Sequence, residues 1–315
     1  MQKKGIGNSH AKIILMGEHS VVYGQPAIAL PLANITTKVM ITANDNHQQL
    51  VKSRYFNGLL TNLPEKMNGI SELINKLMNH FDGHQDGWTM EIVSDIPAER
   101  GMGSSAACAV AIIRAMFDYY DEPIDRKALL KWADVEEKIT HRSPSGLDAA
   151  TVSSNKPVWF KKGAKGTPIK LDLDATMVIA DTGIKGATRE AINTVKEKLL
   201  RQPEMTNTLL NQLGRLTEES RIAVSNNQAV VLGKKLTAAH HALDQLGVSD
   251  LKLNQLVKVA IAHHALGAKL TGGGRGGCMF AITQSALGAR KIASILKEHG
   301  ATATWIQPFN KGDIS

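Results

Sequence analysis

Apolar residues at Ile70, Leu73, Ile74, Leu77, Met78 and Phe81 recur three and four positions apart, the spacing that lines one face of an α-helix, and predict a helix over 69–81. Residues 104–119 are apolar on most faces and predict a helix buried all round, and 127–139 predict a third. Segments 12–15, 35–42 and 88–93 are rich in β-branched residues or alternate apolar with polar, and predict strands. Residues 177–180 predict a short apolar strand ending at the turn signal Asp181-Thr182-Gly183. Beyond it the pattern is mainly helical, with helices expected over 188–200, 205–226, 229–246 and 251–266. Two short strands, 268–270 and 278–282, flank a glycine loop, and a helix over 286–298 and a strand over 301–306 follow. Strands and helices mixed in this order give an α+β class in two lobes, 1–183 and 184–315.

Composition narrows the function classes. The 315 residues are 43% hydrophobic but only 4% aromatic, so aliphatic side chains must fill the core. The net charge is +8, yet no run of Lys or Arg exceeds a pair and aromatics do not interleave with the basic residues, which argues against a nucleic-acid platform. The two cysteines, Cys108 and Cys278, lie far apart in apolar segments and read as small buried hydrophobes rather than a disulfide or metal site. The N-terminus lacks the order of a signal peptide, and no apolar stretch reaches the ~18 residues of a membrane helix. A cytoplasmic protein without membrane or nucleic-acid partners is expected.

Two loops have the composition of phosphate cradles. In Ile96-Pro97-Ala98-Glu99-Arg100-Gly101-Met102-Gly103-Ser104-Ser105-Ala106-Ala107 a strand leads in and a long helix leads out. Gly101 and Gly103 allow close backbone approach, and Ser104 and Ser105 stand where unpaired N–H groups and the helix dipole favour an anion. A serine there can also offer its hydroxyl to Mg²⁺. The plainer reading is a glycine turn with a serine N-cap. The run is neither a Walker A loop nor a dinucleotide fingerprint, since no Gly-Lys-Ser/Thr ends it and the glycine spacing differs. In the second loop, Thr271 to Gly277, five of six consecutive positions are glycine: Gly272, Gly273, Gly274, Gly276 and Gly277. A flexible hairpin is possible, but so many glycines predict a tight backbone approach to something.

Lys12 lies in an apolar strand, where a lysine is costly unless paired, and phosphates would pair it. Glu18 and His19 sit on a glycine-bounded turn and, read alone, are ordinary surface residues. Glu137 lies near a helix end, and Asp148 closes the loop His141-Arg142-Ser143-Pro144-Ser145-Gly146-Leu147-Asp148. Two such carboxylates suit two tasks, one ligating Mg²⁺ and one orienting or accepting a hydroxyl proton. Read singly, they are a helix-end Glu and a capping Asp. His240-His241 and His263-His264 point to different helix faces and form no metal site.

Together the motifs resemble the galactose, homoserine, mevalonate and phosphomevalonate (GHMP) kinase superfamily: a lysine strand with Gly17-Glu18-His19, then Pro97 to Gly101-Met102-Gly103-Ser104-Ser105-Ala106-Ala107, then the late glycine loop. The resemblance spans nearly the whole chain. Within it, Lys12 to Ala27, and the span from Glu137 to Asp148, look like the members that phosphorylate mevalonate. It implies an N-terminal lobe like ribosomal protein S5 domain 2, a ferredoxin-like C-terminal lobe, ATP and mevalonate as substrates, Mg²⁺, and a homodimer. Residue by residue, it implies Asp148 and Lys12 as catalytic groups, Ser105 and Glu137 as Mg²⁺ ligands, and Glu99 to Ser105 around the nucleotide. Glu18, His19 and Thr188 would line the acceptor pocket, and Gly272 to Gly277 would shape its phosphate end. Two departures stand out: His10-Ala11 precede Lys12 in place of proline-glycine, and Glu99-Arg100 replace small residues, with Arg100 expected toward phosphate and Glu99 away from it.

Overall fold

The computed structural model describes residues 2–140, 146–164 and 166–309. The chain divides into two units that interleave in sequence. The first takes the chain up to Lys12, Leu32–Ala98 and Gly103–Asn155; the second takes Ile13–Pro31, Glu99–Met102 and the chain from Lys156 on.

Strand β1 (Lys4–Met16) and strand β2 (Pro26–Ala43) pair with each other, and each contributes residues to both units. In the first unit they are followed by β3 (Gln49–Ser53), β4 (Phe56–Leu59), α1 (Asn68–His80), β5 (Trp88–Ser94), α2 (Ser104–Tyr119), α3 (Arg126–Thr140) and α4 (Leu147–Val152). The sheet runs β4-β3-β5-β2, with β3 parallel to β5 and the other pairs antiparallel. The far half of β2 is the cleanest alternation in the chain: Ile35, Thr37, Val39 and Ile41 are buried while Thr36 and Lys38 face out, as the two-residue strand period requires. Helix α1 buries the stripe read from the sequence, Ile70, Leu73, Ile74, Leu77 and Met78. Helix α2 is buried over most of its surface, as its uniformly apolar sequence requires.

In the second unit β6 (Val158–Lys161) pairs with Pro26–Ala29 of β2, and β7 (Thr167–Pro168) pairs with β6. There follow β8 (Thr176–Asp181), α5 (Thr188–Arg201), α6 (Pro203–Ser225), α7 (Ala229–Gln245), α8 (Leu251–Ala262), β9 (Gly267–Thr271), β10 (Cys278–Thr283), α9 (Ala286–Glu298) and β11 (Ala303–Pro308). Their sheet is antiparallel in the order β11-β8-β10-β9. Numbered from β8, that order is 4-1-3-2, and with helices after the first and third strands it is the ferredoxin-like arrangement, widened by extra helices. Strands β8, β9 and β10 are buried along their whole length, which is why they read as short apolar runs instead of alternating ones. Asp250 caps α8 by accepting the Lys252 and Leu253 N–H groups at 2.7 and 2.9 Å, and Ser285 caps α9.

The α+β class and both lobe types hold. Several boundaries move. Strands β1 and β2 run well beyond 12–15 and 35–42, because glycine, proline and polar positions interrupt their apolar pattern. The polar hairpin β3–β4 and the six-residue α4 carry too little periodicity to be read. Helix α8 stops at Ala262, not 266, and the last strand is 303–308. Among the described residues, no helix is long and apolar enough to cross a membrane.

Candidate active site

The first unit gathers one set of the expected residues. Lys12 is 3% exposed on β1, and its Nζ lies 2.8 Å from Asp148 Oδ1. Asp148 sits in the first turn of α4, not in a loop, and a third of its side chain reaches solvent. The pair therefore has a sealed cation and an open carboxylate. Gly146 precedes α4 with φ 67°, and its N–H donates to Glu137 Oε1 at 3.1 Å. The buried stripe of α3 runs Leu129, Ala133, Glu136 and Glu137, so an apolar helix face ends in two acids. Burial, and then the charge of Asp148, push the Glu137 carboxyl up to about 7, against the lowering effect of the Gly146 hydrogen bond. Residues 141–145, with the expected His141, Pro144 and Ser145, lie outside the described residues.

The start of α2 completes this cluster. Gly103, not a serine, is the N-cap residue, at φ 74°, and no side chain caps the helix. A Cβ on Gly103 would come 2.8 Å from Lys12 Cγ and 3.3 Å from Val152, so glycine here lets the loop lie against the lysine. Ser104 and Ser105 are the first residues of the helix; its first closing bond is Ala107 N–H to Gly103 O at 2.9 Å, leaving the preceding N–H groups for another acceptor. The Ser105 hydroxyl donates to Glu136, a carboxylate that the sequence reading passed over, and not to Glu137. Cys108, one turn further on, is half-buried, and burial with the charge of Glu136 pushes its thiol up to about 12. Cys278 is buried with its thiol also raised; neither cysteine forms a disulfide.

The second unit gathers the rest. Glu18 and His19, on the turn after β1, are 1% and 8% exposed, so reading them as ordinary surface residues is wrong: the glycine-bounded turn folds inward. Their partner is Lys269, in the middle of β9 and wholly buried, which forms an ion pair with Glu18. Sequence reasoning missed Lys269, though the signal was the one that marked Lys12: a lysine flanked by apolar residues on a strand. His19 Nε2 meets the Gly273 carbonyl at 2.9 Å. Burial first, and Lys269 after it, lower the His19 pKa to about 4, so the ring is neutral near pH 7. A carbonyl only accepts, so Nε2 carries the proton and Nδ1 keeps a lone pair.

Arg100 turns to Asp181, at 2.9 and 3.0 Å, and to the Gly183 carbonyl at 3.1 Å, while its Nη1 has no partner among the described residues. Glu99 points away, as expected, onto Lys185 at 2.6 Å. Met102 is buried. The glycine loop packs closely against other segments of its own unit. A Cβ at Gly273 would lie 2.0 Å from Thr188 Oγ1, one at Gly274 2.0 Å from the Val248 carbonyl, and one at Gly272 2.8 Å from Gly101 Cα. Gly277 N–H donates to Ile184 O at 2.7 Å, and Ala187 N–H to Gly274 O at 3.2 Å. The loop is thus a packed hub that brings Gly101, His19 and Thr188 onto one short segment.

Comparison with known proteins adds what geometry leaves open. Residues 68–155 match the model for the GHMP kinases N terminal domain, and 220–302 match that for the GHMP kinases C terminal. The chain is 32% identical over 299 residues to the mevalonate kinase of Thermococcus sibiricus, covering 88% of each chain. It resembles the crystal structure of mevalonate kinase from methicillin-resistant Staphylococcus aureus MRSA252, with TM-score 0.76, 30% identity and 98% and 99% of the two chains covered. It also resembles L. major mevalonate kinase in complex with R-mevalonate, with TM-score 0.84, 26% identity and 97% and 96% covered.

Proposed function

The chain belongs to the GHMP kinases, among the mevalonate kinases, and from that membership we infer that it catalyses ATP-dependent phosphorylation of mevalonate to 5-phosphomevalonate, a step of isoprenoid biosynthesis. The observation that carries the reading is the contact of buried Lys12 with half-open Asp148 at 2.8 Å. A carboxylate beside a fixed ammonium can take a hydroxyl proton while the ammonium stabilises the charge that develops on oxygen and phosphate.

The residues would act as follows. Asp148 receives or orients the proton of the primary hydroxyl, and Lys12 lowers that hydroxyl's pKa. The hydroxyl oxygen bonds to the γ-phosphorus as the bond to the β–γ bridging oxygen breaks, and ADP leaves with that electron pair. The uncapped start of α2 at Gly103, Ser104 and Ser105 offers N–H groups to phosphate. Gly101 and Met102, with Glu99 and Arg100, form the approach to that loop. Glu18, His19 and Thr188 are assigned to mevalonate, with the His19 Nδ1 lone pair accepting from a hydroxyl. The glycine loop shapes the phosphate end.

The donor set fits magnesium. Ser105 and Glu137, with Glu136 beside them, are hard oxygen ligands, and Mg²⁺ takes one or two carboxylates plus nucleotide phosphates rather than a protein cage. The raised Glu137 carboxyl is a site where a cation would favour the ionised form. When bound with ATP, Mg²⁺ would neutralise charge on the β- and γ-phosphates.

ADP release by purified protein with ATP and Mg²⁺ tests the assignment, against mevalonate, phosphomevalonate, galactose and homoserine. Turnover with mevalonate alone is expected. Turnover with another alcohol only would keep the catalytic pair and discard the acceptor assignment. Nucleotide binding without turnover on any of them would favour a binding protein that keeps the fold.

A further inference from the structure

Lys269 is the one long cationic side chain among the described residues with no exposure at all. It stands in the middle of β9, opposite Phe280 of β10, and its ammonium lies 5.3 Å above the Phe280 ring. It donates to the Leu270 carbonyl at 2.6 Å and to the Glu18 carboxylate. Taking both members of an ion pair out of water is a poor way to gain stability, since an apolar pair of the same volume would serve as well or better. What the pair does gain is position: a carboxylate held at one point of a turn.

That turn is under tension. His19, the next residue, has φ 58° and ψ −45°, a conformation that a residue with a side chain adopts only when its surroundings impose it. It is bracketed by Glu18, fixed through Lys269, and by its own ring, fixed on the Gly273 carbonyl. Both anchors belong to the β9–β10 hairpin, Lys269 in the strand and Gly273 in its loop. The charged or titratable groups facing Lys269 are Glu18 and His19 from the turn and His240 from α7.

We propose that Lys269 is a positioning residue for the phosphoryl acceptor: it clamps Glu18 and thereby holds the strained backbone and the ring of His19 in the orientation that receives mevalonate. The inference rests on the reading of Glu18 and His19 as acceptor-binding residues. It assigns Lys269 no contact with the reacting atoms.

The test is Lys269→Met, followed by two independent readouts. In steady-state kinetics the mevalonate KM should rise roughly tenfold or more as His19 loses its fixed orientation, while the ATP KM stays within about twofold. In ligand-free protein, imidazole ¹⁵N NMR should show His19 as a fixed Nε2–H tautomer in the wild type and as an exchange-averaged ring in the variant. A lysine serving only stability would lower the unfolding temperature and leave the His19 signals unmoved, and that result overturns the proposal whatever the kinetics show. If Lys269→Met does not fold, Lys269→Gln, which keeps a donor for the Leu270 carbonyl, is measured in the same way. Should the wild type fail to phosphorylate mevalonate, the acceptor assignment falls, while the ligand-free NMR comparison still decides whether Lys269 positions His19.

Discussion

Two buried lysines, each on a strand and each paired with a carboxylate, divide the chemistry at the scale of the residue. Lys12 faces Asp148, whose side chain is a third exposed, whereas Lys269 faces Glu18, which is sealed. An exposed carboxylate can take a proton from substrate, whereas a sealed one locked to a lysine serves the acceptor pocket by its position. Asp148→Ala is therefore expected to lower kcat by ~10²–10⁴-fold while Mg²⁺-nucleotide binding survives; near-wild-type turnover would remove Asp148 from the mechanism. His240, on α7, gives a stability prediction. Burial first, and Lys269 second, lower its pKa to about 4. Between about pH 6.5 and 4 the unfolded chain binds a proton that the folded chain refuses, so stability falls as pH drops through that window. The loss contributed by this one ring is on the order of 3 kcal/mol when complete. Urea unfolding at pH 7 and pH 4.5 should show His240→Gln losing less stability than the wild type. The lysines also mark how far sequence reading reaches. Lys12 is legible because it lies in an apolar strand and a family motif surrounds it as well. Lys269 obeys the same burial argument, but the glycines beside it drew attention to the loop instead of the strand.

Elements set where those residues stand, and here legibility followed periodicity. Helices α1, α2, α5 and α9 lie within a residue or so of the segments read from the sequence, α1 because a stripe three and four apart is hard to satisfy by chance and α2 because it is apolar on most faces. Helix α4, which carries Asp148, is too short for a stripe. The short bond between Ser105 and Glu136 was not legible either, since adjacent acids on a helix differ in role only once a partner selects one of them. The glycine loop reads as a close approach, and the approach is to other segments of the protein itself, Gly101, Thr188 and Val248. That gives a contrast between two glycines with similar positive φ. Gly274 (φ 76°) has the Val248 carbonyl where a Cβ would go, while Gly24 (φ 86°) has open space. Gly24→Ala should cost about 1–2 kcal/mol for its conformation alone. Gly274→Ala adds a backbone clash, so about 3–5 kcal/mol is expected. Denaturant midpoints of the two variants measure the difference; equal losses would mean that the loop moves aside freely.

For the whole molecule, the net charge of +8 is the property that fold and site alone do not explain. Its basic residues come no more than two together, so the charge is a diffuse field and not a phosphate-tracking stripe. A diffuse field draws small anions such as ATP and a carboxylate-bearing acceptor, and it weakens as salt shortens the screening length. A polynucleotide ligand would behave differently, because releasing many counterions makes binding fall steeply and linearly in log–log form. Raising NaCl from about 50 to about 500 mM cuts the screening length from ~14 to ~4 Å, so KM for ATP should rise a few-fold with kcat nearly constant. A labelled duplex should show no saturable binding near physiological salt. Tight duplex binding with a steep salt slope would mean that the charge serves nucleic acid, and the kinase reading would then have to share the surface with a second ligand. A salt-insensitive KM would mean that the local dipoles at the start of α2 and Lys12 capture the nucleotide without help from the field.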